Sequence, residues 1–315
     1  MDFLLRCLVL SCAALGAAAL LGAALQTALW RVYRPSGAAS DRADALLRLR
    51  LLPAALSGFA LVFAAIGLMR FESRGDHEVV GLVIQALAVL GAAMALDVFV
   101  RLARQQWSTH RIVRTWMATA SPVRLDAVCD AHLPVFAITT GFPVVAVIGA
   151  LRPRIVIDRL VLEGCAPEEL TAILAHEQGH VRRWDNARRL LFAAVPGDRL
   201  TPGLARSWRD ATEEAADDAA VAAGGATHLN LASALVRVAR MAKQQQWDAM
   251  PLPASALYRG DDIEGRVRRL VDTTEAPCRA QRGWGTTLAA VGITMAFLAQ
   301  QSIHDVMELL VATLP

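Results

Sequence analysis

Ala175-His176-Glu177-Gln178-Gly179-His180-Val181, inside the longer run Pro167 to Asn186, is the stretch on which the reading of this chain turns. Pro167-Glu168-Glu169 has the marks of a helix start, with Pro where no backbone donor is needed and acids at the positive end. Apolar residues continue at helical spacing, so one helix is predicted from Pro167 through Leu191, stopped by Pro196-Gly197. On that helix His176 and His180 project from one face on successive turns and can bind one metal ion together. Glu177 is offset by about 100°, which aims it at a water beside the metal rather than at the metal. The pattern is that of an HExxH zinc peptidase, in which zinc acidifies the water. The glutamate takes up the water's proton and passes it to the leaving amine.

Two histidines on a helix face can also be plain surface residues, so the third ligand matters. Position 186 is Asn, which excludes the metzincin pattern. Glu213 lies 33 residues beyond His180 in Glu213-Glu214-Ala215-Ala216-Asp217, on a second predicted helix of about Gly203 to Ala223. Glu213, Ala216 and Asp217 share a face of that helix. Glu213 is therefore expected to complete a His₂Glu site, with one Zn²⁺ per chain and an open coordination position. Ala216 would let the two helices approach closely. Asp217 is expected to hold the free ring nitrogen of a ligand histidine. Glu214 and Asp218 point elsewhere and read as solvated. Gly179, costly in mid-helix, reads as room for a neighbouring strand.

Composition places this centre in a membrane protein. Hydrophobic residues make up 55% of the 315 and charged residues 19%, against about 25% in soluble domains; mean hydropathy is +0.39. The excess is concentrated in blocks of spanning length, at about 7–29, 51–69 and 79–100, with a shorter fourth at 284–300. Asp97, near the end of the third block and close to Arg101, reads as interfacial. Arginines crowd the segments 31–50, 101–114 and 266–282. By the positive-inside rule those segments face the cytoplasm and both termini lie outside. The expected organisation is three transmembrane helices in 1–100, a cytoplasmic peptidase domain in 101–282, and a fourth transmembrane helix with a short tail in 283–315. Short strands at Val123–Val128, Val135–Thr139, Val144–Ile148 and Ile155–Ile157 precede the helices, and a third helix follows at about Leu229–Gln246. The fold class is thus α+β: a multi-span α-helical membrane protein carrying a gluzincin-like HExxH domain. A net charge of +3 gives no reason to expect nucleic-acid binding. The five cysteines form no CxxC pair and carry no evident role.

The run Gly149-Ala150-Leu151-Arg152-Pro153-Arg154-Ile155-Val156-Ile157, the run Glu168 to Asn186 and the segment Glu213 to Val221 resemble the BlaR/MecR-type antibiotic-sensor metallopeptidases. The resemblance implies a four-span inner-membrane protein with an inward-facing zinc peptidase. It further implies zinc on His176, His180 and Glu213, catalysis by Glu177, and action on a cytoplasmic transcriptional repressor or on the chain itself. The large extracellular penicillin-binding domain that such sensors carry after the fourth span has no counterpart in Ser302–Pro315, which speaks against β-lactam sensing. The expected partners are the lipid bilayer and a protein or peptide substrate. Two other readings stand beside this one: an HtpX-type quality-control peptidase, and a non-catalytic membrane signalling adaptor with structural zinc. Arg182, Arg183 and Asp185 crowd the motif too closely for a site buried inside a span.

Overall fold

The computed structural model describes residues 3–33, 35–71, 81–123, 133–195, 200–224, 226–244 and 263–272. The fourth apolar block, Cys129, His132 and Cys278 lie outside them. Helices α1 (Phe3–Val32), α2 (Ala39–Phe71) and α3 (Leu82–Ala118) are each long and apolar enough to cross a membrane. All three extend past their apolar blocks into polar sequence. Their contacts rest on small residues: Gly16 of α1 and Gly91 of α3 meet so closely that a Cβ on either would strike the other helix's backbone. Gly22 similarly admits Pro53 of α2. Close backbone approach of this kind is how helices associate where lipid removes the hydrophobic incentive.

After α3 come the strands β1 (Ser121–Val123), β2 (Val135–Ile138), β3 (Val145–Ile148) and β4 (Arg154–Asp158), in sheet order β1-β2-β4-β3. β2 and β4 pair in parallel, with Val135 opposite Ile155, and the outer pairings are antiparallel. Alternation along the strands sorts side chains onto two faces. Val145, Val147, Ile155 and Ile157 join the main core, while Ala146, Ile148 and Val156 pack with Trp116 at the end of α3. Both faces are covered, which is why β3 is buried at all four residues.

The helices that follow are α4 (Arg159–Gly164), α5 (Pro167–Arg182), α6 (Asp185–Ala194), α7 (Leu204–Ala222), α8 (His228–Gln244) and α9 (Ile263–Asp272). Glu169 fastens the start of α5: it accepts from the Ala166 N–H at 2.9 Å and the Ser233 hydroxyl at 2.6 Å, and pairs with Arg237 at 2.6 Å. The single helix expected over Pro167–Leu191 is broken in two. Arg183 ends α5, and Trp184 adopts φ 57°, ψ 35° as the backbone turns into α6. The break brings Asp185 back against His180, a tertiary contact that hydrophobic periodicity does not encode. A second difference is α9, which pattern reading did not bring out.

The α1–α2 hairpin and the domain beneath share a core. Ala43, Leu46 and Leu49 of α2 pack on Phe192 of α6 and on Leu204, Trp208 and Ala211 of α7. Arg50 is buried and donates to Phe192 O at 3.3 Å and Val195 O at 2.5 Å, so a cation caps the C-terminus of α6. Asp44 pairs with Arg188 at 2.5 Å and Arg183 at 3.3 Å. Arg42 pairs with Glu214 of α7. Glu214 and Asp218, expected to be solvated, are thus partnered: Asp218 meets Arg269 of α9 at 2.6 Å.

Candidate metal centre

His176, Glu177 and His180 come from α5, and Glu213 and Asp217 from α7. The two helices meet at Gly179 and Ala216. A Cβ on Gly179 would lie 3.1 Å from Ala216 O and 3.2 Å from its Cα. Gly179 therefore makes room for a helix, not for the strand expected there.

The approach gathers the histidines and Glu213. His176 Nε2 lies 3.5 Å from Glu213 Oε2 and His180 Nε2 lies 3.6 Å from Glu213 Oε1. The two imidazoles stand edge to face, with ring centroids 4.8 Å apart. Tetrahedral zinc with bonds near 2.1 Å needs ligand atoms about 3.4 Å apart, close to what these residues present. Among the described residues this is the group of His, Cys, Asp and Glu side chains that could hold a metal ion.

Each remote ring nitrogen has a carboxylate oxygen beside it. Asp217 Oδ1 lies 2.8 Å from His176 Nδ1, and Asp185 Oδ2 lies 2.7 Å from His180 Nδ1. Such partners fix each ring's orientation and raise its basicity. Glu177 is fully buried, and neither of its carboxylate oxygens has a hydrogen-bond partner among the described residues. An unpaired buried carboxylate calls for a proton or a positive neighbour, and a cation between the histidines and Glu213 would be one.

The electrostatics follow from burial and pairing. Burial raises the Glu177 pKa above the usual carboxylate range, opposed by the nearby His180 and His176. For His180 burial works against the charged form, but Glu213 and Asp185 outweigh it and hold the pKa up at about 9. His176 is likewise raised, with Asp217 and Glu213 overcoming burial. Glu213 is held well below its ordinary value despite burial, by the histidines and Arg266. In the absence of metal, the raised pKa of His180 favours a proton there, which would place positive charge near Glu177.

Three residues of the centre were not brought out by sequence reasoning. Asp185 appeared there only as a flanking charge. Arg266 of α9 is buried and grips Asp217 with two bonds, at 2.7 and 3.0 Å, while reaching Glu213 at 3.4 Å. Arg189 of α6 donates to Glu213 Oε1 at 3.1 Å. Asking which carboxylate serves the second ring nitrogen of His180 would have found Asp185. No local pattern marks the two arginines.

Residues 146–274 match the family model for Peptidase family M48. The matched stretch runs from β3 through α9 and contains every residue of the centre. No curated protein matches the chain. The M48 likeness supports a protease, of a family that is zinc-dependent, and the three apolar helices support membrane association.

Proposed function

We propose that this protein is a membrane-bound zinc endopeptidase in which His176, His180 and Glu213 hold the metal and Glu177 is the general base. The observation that carries this reading is the convergence of three ligand atoms within 4.8 Å of one another beside the unpartnered carboxylate of Glu177. Zinc held there would polarise the scissile carbonyl and acidify a water. Glu177, its pKa raised by burial, would be the residue to take up a proton from such a water and to return it to the departing amine. Asp217 and Asp185 hold the ligand imidazoles in place. Arg266 and Arg189 keep Glu213 ionised and oriented.

An extended substrate chain has an edge available at β3. Val144 O accepts from Asp158 on β4, so by alternation the polar groups of Val145 and Val147 point away from the sheet. Asn186 Nδ2 already donates to Val147 O at 2.9 Å and Gly149 O at 3.0 Å. Strand addition would therefore use Val145 and the Val147 N–H.

The arginine-rich stretch 31–50 belongs to the α1–α2 hairpin end that packs on the peptidase region. The positive-inside rule then favours a cytoplasmic peptidase, four spans counting the block at 284–300, and both termini outside. A signalling role, with cleavage of a cytoplasmic protein such as a transcriptional repressor or of the chain itself, is favoured over quality control by one observation. Arg42, Asp44 and Arg50 of a membrane helix hold the very helices, α6 and α7, that carry Asp185 and Glu213.

The test compares wild type with Glu177→Gln, both zinc-quantified, in detergent with the host's cytoplasmic proteins. New peptide termini that appear with wild type and vanish with the mutant at equal zinc content support the reading. Zinc-loaded wild type that cuts nothing, alone or with membranes, points to an adaptor with structural metal.

A further inference from the structure

Beside the centre, a cleft of about 380 Å³ runs between the end of β3 and the α5–α6 break. Its apolar lining is Val147, Leu151, Pro153, Val181 and Trp184, and His180 lines it as well. Leu151 is 83% exposed and Trp184 58% exposed, so two large apolar side chains face water at its mouth. Asp185, the acid in its lining, is buried against His180, and Arg182 is the charged group at the rim. Such a space is large enough to take a large apolar side chain together with part of its backbone.

Trp184 is also the non-glycine residue with positive φ among the described residues. The turn needs that conformation so that Asp185 reaches His180; Gly would supply it without the clash of a Cβ, and Asn at lower cost than an indole. The indole in that place is exposed and lines the cleft.

We infer that this cleft is a specificity pocket, taking a large apolar side chain of an extended peptide substrate, with Trp184 and Leu151 as its determinants. The inference rests on the peptidase reading for its substrate class. Two observations fix the occupant as a peptide side chain. His180 lines the cleft together with Asp185, so whatever fills it lies against the Nδ1 side of a proposed metal ligand. The outward edge of β3 leads into it at Val147, and an extended chain on that edge turns alternate side chains toward the α5 side.

The experiment uses the full chain carrying Glu177→Gln, zinc-loaded in micelles, with short fluorescein-labelled alanine–serine peptides. These are identical save for one Leu, Phe, Ala or Asp, and binding is read by anisotropy. Leu and Phe peptides should bind roughly tenfold tighter than Ala or Asp peptides. Adding Trp184→Ala should bring all four within about threefold of one another, while Trp184→Phe should keep the preference. Unchanged melting temperature and zinc content in Trp184→Ala exclude a folding effect. Absence of any apolar preference, or a preference that survives Trp184→Ala and Leu151→Ala, overturns the pocket. Wild type is assayed in parallel for hydrolysis of the same peptides. Cleavage without apolar preference sinks the pocket and leaves the peptidase standing; Trp184-dependent binding without cleavage does the reverse.

Discussion

His180 Nδ1 and Asp185 Oδ2 lie 2.7 Å apart across the break between two helices, both side chains buried. The contact aims Nε2 of His180 at Glu213, and it exists only because Trp184 turns the chain. Asp185→Asn keeps the size of the side chain but removes the charge that polarises the ring. Zinc affinity is expected to fall about 10- to 100-fold, and the metal-free protein should also melt at a lower temperature, because Asp185 helps to hold up the His180 pKa. Chelator competition followed by calorimetry checks both. Equal zinc affinity in mutant and wild type would remove Asp185 from the centre.

The same carboxylate shows what was and was not legible in the sequence. His176 and His180 could be read as a pair because helical spacing decides which side chains share a face, and Glu213 was matched to them by motif, its meeting with α5 being a matter of packing. Asp217 followed from Glu213 by the same helical spacing. The strand expected at Val123–Val128 meets β1 at Val123 alone, the rest lying outside the described residues, while β2, β3 and β4 were legible from apolar runs between Gly and Pro. The division of Pro167–Leu191 was not: Leu190, Leu191 and Phe192 continue the helical pattern, and the break is stabilised by a contact made only in the folded chain. Arg266 and Arg50 were opaque for a related reason. In sequence each is one arginine among many beside an apolar block, and only tertiary packing shows that one grips Asp217 and the other caps α6.

Gly179 and Ala216 set the distance between α5 and α7. Gly179→Ala gains helix propensity of about 1 kcal/mol, offset by a methyl placed 3.1 Å from Ala216 O. Gly179→Val has no such balance and should cost about 1–3 kcal/mol by overpacking. Because the displaced partner carries Glu213, zinc affinity should fall by more than tenfold in the Val variant and several-fold at most in the Ala variant. Unfolding midpoints and zinc titration on the two variants test this order.

Arg50 and Asp44 join the same membrane helix to the same domain, yet unequally. Arg50 is 1% exposed and serves two carbonyls at the end of α6. Arg50→Met leaves them buried and unpaired, for an expected loss of about 2–4 kcal/mol. The Asp44 side chain is 36% exposed, and Asp44→Ala should cost under about 1 kcal/mol. Detergent-solubilised protein unfolded by heat, with proteolysis of the α6–α7 region as a second readout, separates the two. Comparable losses from both variants would show that Arg50 does not anchor α6.

Metal and proton compete for the same nitrogens, which fixes the sign of the pH dependence. In the metal-free protein His180 has its pKa raised to about 9, against about 6.5 for an unfolded chain. Its contribution to stability is full below about pH 6.5 and is lost as pH rises through about 9. Glu213 is shifted the other way, so its contribution is present above about pH 4.3 and is lost as pH falls from there. Metal-free protein should thus be most stable between about pH 5 and 6.5, and its melting temperature should decline toward pH 9.5. Zinc must displace the imidazole protons, so the stabilisation gained on adding it should widen over that same interval. Paired melting curves with zinc and with chelator, taken from pH 5 to 9.5, measure both trends. A zinc-dependent shift that stays constant from pH 6.5 to 9.5 would show that the histidines are not protonated before the metal arrives, and that the carboxylates around them are arranged for something other than exchanging a proton for a cation.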